Sequence, residues 1–256
     1  MSATVDRRIL GAFVCVDAIT GVSVVPAVPV SAPLWTIKPN RSGTYVIFDG
    51  PGFDALTDEF DPSGTWPAPT SFEVALQDPT TRYLPRRANV QAPLAIPTIP
   101  PVLTTPTGVF APQQVTLYLS PAAAFGPNWA VIHASVTQSG SSPLQGLPWA
   151  VLQVVRTSDN TVIATGQTST NGEALLAVIG LTVQANSSGG GPVTVSTVAA
   201  NITAYFDPGN LKQPTGWIPN PDDVLSNLTN PALVSSSQSV QLSAGQELSM
   251  SFSLTV

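Results

Sequence analysis

The side chains of this 256-residue chain that could do chemistry are one histidine, one cysteine, an acidic loop and a knot of arginines. His133 lies in Ala130-Val131-Ile132-His133-Ala134-Ser135-Val136, where strand alternation puts it on one face with Val131 and Ser135. A metal site built on imidazole wants two or three such ligands. A serine–histidine–aspartate triad needs a serine beside the ring at a mouth, and no Gly-x-Ser-x-Gly occurs. The expectation is a structural histidine, with no catalytic residue, no metal and no cofactor. Asp49, Asp54, Asp58, Glu59 and Asp61 gather five carboxylates in one irregular loop, the best candidate for a hard cation such as calcium. Their spacing lacks the alternation of an EF-hand, and a solvated loop explains them as well. Asp54 and Glu59 as a glycosidase pair is weaker still, because spacing along the chain supplies no separation in space. Cys15 sits in Phe13-Val14-Cys15-Val16 with no activating cation beside it, which reads as a buried inert thiol. One cysteine allows no internal disulfide, which is compatible with synthesis in a reducing compartment.

Arg82, Arg86 and Arg87, with Tyr83 among them, bring three of the nine basic residues within six positions. In a chain so poor in charge, this cluster is expected to anchor a partner's carboxylates, a task suited to guanidinium geometry. The alternative is internal pairing with the acidic loop. Five tryptophans could form a sugar-stacking platform. Trp149 alternates inward with Val151 and reads as core. Trp66 and Trp217 lie beside prolines in loops and join the arginines as candidate partner-binding residues.

These side chains must be held by strands. Charged residues make up 9%, against about 25% in average soluble proteins. Twenty-six prolines and nineteen glycines accompany many Ser, Thr and Val, a bias against helices and toward short strands with stiff turns. Apolar residues at 43% suffice for a core. Net charge −6 with two lysines argues against nucleic acid, which needs a basic stripe. No stretch approaches the ~20 apolar residues that span a bilayer as a helix, and the run 9–16 reads as a first strand rather than a signal-peptide core.

Strands are expected at 9–16, 22–30, 44–48, 72–77, 114–119, 130–138, 149–156, 161–168, 174–179, 193–205 and 247–256. Asn220-Pro221-Asp222-Asp223 carries an N-cap, a proline at the first helical position and acidic residues suited to the helix dipole, so one helix is expected, ending by Asn230-Pro231. Residues 187–191 read as a hairpin tip. The prolines between 93 and 112 block ladder donation and form an extended connector. A boundary near residue 104 gives an N-terminal sandwich over 1–103 and a C-terminal one over 104–256.

Pro143-Leu144-Gln145-Gly146 before the strand at 151–155, Gly166-Gln167-Thr168 closing the next, and Thr170-Asn171-Gly172-Glu173-Ala174 together resemble the carboxypeptidase-regulatory-like, transthyretin-like β-sandwich family. The resemblance covers about seventy residues and implies an accessory module without catalytic residues. In the N-terminal half, Leu10-Gly11-Ala12-Phe13, the segment from Trp35 to Val46, Phe72-Glu73-Val74, and Gln77-Asp78-Pro79 with Arg82 to Arg86 are similar to accessory sandwich proteins of phage-tail-like contractile injection particles. That implies an assembly or decoration component.

The reading is an all-β protein of two Ig-like or transthyretin-like sandwiches joined by a proline-rich connector. It is expected to be a non-enzymatic structural or adaptor component of a larger assembly, partnered by other protein subunits or by copies of itself. Synthesis would be cytoplasmic, with an extracellular location once part of a released particle. The alternative is a secreted or surface module that binds glycans or proteins. The strand at 247–256 is the one to watch for pairing with a neighbour, although closing its own sandwich explains it as well.

Overall fold

A computed structural model describes residues 9–53, 67–94, 111–181, 183–184, 194–195 and 197–256. The protein is nearly all β, arranged in several sheets. By contact density it divides into two compact units. One comprises 1–16, 22–79 and 85–116; the other comprises 17–21, 80–84 and 117–256. The boundary expected near 104 lies outside the described residues, as do Trp66, the carboxylates Asp54, Asp58, Glu59 and Asp61, and the tip at 187–191.

In the first unit, β1 (Gly11–Asp17) pairs antiparallel with β4 (Thr44–Asp49), and β4 with β3 (Thr36–Pro39). β7 (Gln113–Leu117) flanks β1 on the other side. A second sheet has the order β2 (Val30–Ser31), β5 (Thr70–Leu76) and β6 (Arg86–Ala92). Phe13 faces Tyr45 across the β1–β4 ladder, and their rings stack at 4.5 Å. Cross-strand aromatic pairs of this kind add to burial. Trp35 stacks on Phe72 at 3.7 Å. Only a glycine at position 50 lets that indole lie against the backbone, because a Cβ there would enter the ring. The strand expected at 22–30 forms only a bridge at Ser23 and the short β2, since Pro26 and Pro29 have no N–H to donate.

The second unit is a sandwich of two sheets. One has the order β10 (Val162–Gln167), β9 (Val151–Arg156), β14 (Val198–Phe206) and β15 (Val234–Leu242). The other has the order β11 (Glu173–Val178), β8 (Ala130–Gln138) and β16 (Glu247–Leu254), with β16 parallel to β8. The short pair β12 (Val183–Gln184) and β13 (Thr194–Val195) stands apart. Alternate residues enter the core: Ile132, Ala134 and Val136 from β8, Leu152 and Val154 from β9, Ile202, Ala204 and Phe206 from β14, Phe252 and Leu254 from β16. The expected helix is present as α1 (Pro221–Leu225), with the Asn220 side chain accepting from the Asp222 N–H. It stops after five residues, short of Asn230.

The motif that carries the family resemblance has a physical cause here. Gly172 adopts φ +79°, and a Cβ on it would come within 2.7 Å of the Gly146 Cα. A Cβ on Gly146 would overlap the Asn171 carbonyl. The two backbones therefore lie against each other, and β8 seals the contact through Gly172 O to Val136 N–H and Val136 O to Leu147 N–H, each 2.8 Å. Neighbouring Thr168 is fully buried; its hydroxyl donates to Leu147 O and accepts from Ala150 N–H.

Gly146→Ala should accordingly cost at least about 3 kcal/mol, because backbone and not a flexible side chain must move. That corresponds to a fall in Tm of roughly 6–12 °C. Gly180→Ala, at a positive φ facing open space, should cost only about 1–2 kcal/mol. Equal losses in thermal melts of the two variants would refute the backbone-contact account.

Candidate docking surface

The structure separates the four residues that the sequence groups as one cluster. Arg86 opens β6, whose inward row is Arg86, Ala88, Val90 and Ala92. Only 2% of Arg86 is exposed, and its guanidinium donates to the Thr116 carbonyl. It is held inside the first unit, so charge reversal at Arg86 tests folding and not docking. Arg87, on the opposite face of the strand, donates to Glu73 Oε1 at 2.8 Å. Burial pushes the Cys15 thiol up to about 11, outweighing the Tyr45 hydroxyl and then the Arg86 charge, which favour the thiolate. Tyr45 donates its hydroxyl to the Val28 carbonyl, and burial first, then Cys15, push its pKa well above the ordinary phenol range. This is the environment of an inert thiol, not of a nucleophile.

Tyr83 and Arg82 belong to a polar knot of the second unit centred on Asp17. The Asp17 carboxylate accepts from the N–H groups of Ile19 and Thr20 and from the hydroxyls of Thr20 and Tyr83. Backbone bonds from Ala18 to Leu117 O, Leu84 to Tyr118 O and Ser120 to Arg82 O stitch the turns 17–21 and 80–84 to residues 117–120. Burial pushes the Asp17 carboxyl up, but the four hydrogen bonds outweigh it and hold it below the usual carboxylate range. Tyr83 is buried, whereas Arg82 is 55% exposed and sits 3.7 Å from Asp17 Oδ2. An ion pair that exposed contributes little.

Trp217 is half-buried in a turn closed by its N–H to the Pro214 carbonyl. Trp149 is buried, yet it occupies a turn at φ +65° just before β9. His133 stands on the outer face of β8 with Ser135, as alternation predicts, with the Phe125 ring edge-on at 6.2 Å. No group of three His, Cys, Asp or Glu that could hold a metal occurs among the described residues. No helix among them is long and apolar enough to cross a membrane.

A feature that sequence reading missed is β15. Val-Ser-Ser-Ser-Gln-Ser-Val-Gln-Leu has few apolar residues, and no strand is expected there, yet it forms a nine-residue edge strand along the whole of β14. The weak signal was the alternation of Val234, Val240 and Leu242 with outward serines. Among the described residues nothing pairs with the outer side of β15 or of β16. The Thr157 N–H bonds the Ala199 carbonyl, so even-numbered residues of β14 face β15. Antiparallel alternation then leaves the backbone groups of Ser235, Ser237, Ser239 and Gln241 on the free side. Across the sandwich, Gln238 donates to the Ser251 carbonyl of β16 at 2.6 Å. No protein-family model matches the chain, and neither does any curated protein.

Two consequences follow from the buried groups. Asp17→Asn should cost about 1–3 kcal/mol by leaving donors unmatched, while Arg82→Ala should stay within about 1 kcal/mol. Because the Asp17 pKa is lowered on folding, its contribution is present above the unfolded carboxylate range near 3.8 and is lost as pH falls through the folded value. Urea midpoints from pH 2 to 7 should therefore show a shallower acid slope in Asp17→Asn; an unchanged slope contradicts the assignment. The Cys15 shift has the opposite sign: stability is intact below pH 9.0 and declines toward about 11. Native protein at pH 8 should resist alkylation of Cys15 until denaturant is added, and prompt labelling would show the thiol to be accessible.

Proposed function

We propose that the chain is a non-enzymatic structural or adaptor component of a larger assembly, of the kind found in phage-tail-like contractile injection particles, and that its second unit is a carboxypeptidase-regulatory-like sandwich. Other protein subunits, or further copies of the chain, are its partners, and the reading assigns it no reaction. It docks by strand addition: a neighbour's extended segment continues the sheet beyond β15.

The observation that carries this reading is the character of that edge. A monomer normally guards an edge strand with lysine, proline, a bulge or shortness. β15 is nine residues long, carries no charge and no proline, and pairs with β14 without a register shift. Its outward side chains are Ser235, Ser237, Ser239 and Gln241, all exposed. Hydroxyls and amides cost less to desolvate than charges, so such an edge can be covered by a partner at low cost. The low overall charge fits the same account, because covered surface has no need of the mixed charges that keep a free monomer soluble.

Ser237→Pro tests the proposal. The Ser237 N–H points away from β14, so proline removes a docking donor and leaves the internal ladder whole. Ser239→Lys places a charge on the same edge. Both variants should keep Tm within a few degrees and lose stoichiometric co-purification with the native assembly, or self-association followed by light scattering. Assembly that survives both changes refutes docking through β15.

A further inference from the structure

The outer face of the β11-β8-β16 sheet carries a polar depression that docking through β15 does not use. It has a volume of about 310 Å³ and is open to solvent, with Pro121 at its rim. The strand register brings its side chains together. Glu173 lies opposite Ser135, which lies opposite Ser251, while His133 lies opposite Ser249. All stand on one face of three hydrogen-bonded strands, a rigid platform of the kind that pre-organises a binding site. Ser135 donates to the Ser251 hydroxyl at 2.9 Å. The His133 imidazole, the Glu173 carboxylate and the Ser249 hydroxyl make no hydrogen bond or ion pair among the described residues. Three hydrogen-bonding groups of different type thus converge with their capacity unspent. Beside them the Phe125 ring stands edge-on to His133 and is 37% exposed.

The chemistry of the lining selects the ligand. No lysine or arginine lines the depression, and Glu173 repels anions, which disfavours phosphate, sulfate or a carboxylate ligand. One carboxylate and one imidazole are too few for a metal cage. What remains complementary is a neutral molecule with many hydroxyls and one apolar face. The carboxylate accepts, the imidazole does one or the other at each nitrogen, and each serine does both. Pro121 offers surface to C–H groups. The volume is at the small end of ligand sites, about 300–1,000 Å³, which suits a single ring. We propose that this depression is a subsite for a neutral pyranose, with a C–H face toward Pro121 and hydroxyls on Glu173, His133 and Ser249. This goes beyond the docking role and stands whether or not β15 pairs with a neighbour.

The test is an amide NMR titration of the full chain with the methyl glycosides of glucose, galactose, mannose and N-acetylglucosamine. At least one should shift the amides of residues 133, 135, 173, 249 and 251 saturably, with a Kd of the order of millimolar, as an open one-ring site allows. His133→Ala and Glu173→Gln should each weaken that binding about tenfold or more. Ser249→Trp, which fills the depression from an exposed position, should abolish it, while Trp217→Ala leaves it unchanged. The variants' amide spectra outside the patch report that the fold is kept. Absence of saturable shifts with all four glycosides overturns the proposal. So does binding that survives in His133→Ala, or shifts that centre on Trp217.

Discussion

Close approach of one backbone to another is the constraint on which the second unit depends. Its core sets alanines such as Ala134, Ala164, Ala174, Ala200 and Ala204 between larger branched and aromatic side chains. Where even alanine is too large, Gly146 and Gly172 meet directly. A packed interior at this spacing tolerates neither added volume nor a shifted register, since one residue of slip turns every inward side chain outward. Two hydrogen bonds close the contact: the Val136 N–H donates to Gly172 O, and the Leu147 N–H donates to Val136 O.

A chain with so few charges holds several of its buried polar groups with hydroxyls and backbone rather than with ion pairs, although the buried Gln167 amide finds no partner among the described residues. Thr168 holds both Leu147 and Ala150 of the turn before β9. Asp17 is the exception that shows the rule: its buried carboxylate is held by four donors, and the nearest cation is a loosely placed, exposed arginine. Among the described residues Arg86 is the other buried charge, and it too turns to a backbone carbonyl. Burying a charge costs much unless hydrogen bonds replace water, as the four donors around the Asp17 carboxylate do.

The same economy bears on function. The surfaces left over are hydroxyl-rich sheet faces and edges: Thr203 with Ser237, Asn201 with Ser239, and Ser135 with Ser251, each joined by a side-chain hydrogen bond. Such surfaces give up water at modest cost and offer both donors and acceptors. They suit an adaptor that is covered in its working state, and they suit recognition of hydroxylated ligands for the same reason. The exposed edge β15 and the outer face around His133 are distinct places on the second unit, one for each of the two proposed uses.

The all-β class, the core alternation of β8, the turn at Gly172 and the cap at Asn220 were legible in the residues, because each rests on short-range chemistry: period-two hydrophobicity, positive φ at glycine, and an amide that accepts at a helix start. What stayed hidden depends on contacts between distant segments. The row Arg86, Ala88, Val90 and Ala92 alternates in the sequence, but only the packed unit shows that its arginine points inward beside Thr116. β15 becomes a strand because β14 offers it a ladder, not because serine prefers one. His133, Glu173 and Ser249 lie on three strands, and strand register alone makes them neighbours. Local sequence sets the conformations a segment can adopt; the pairing of strands far apart in the chain decides which side chains meet.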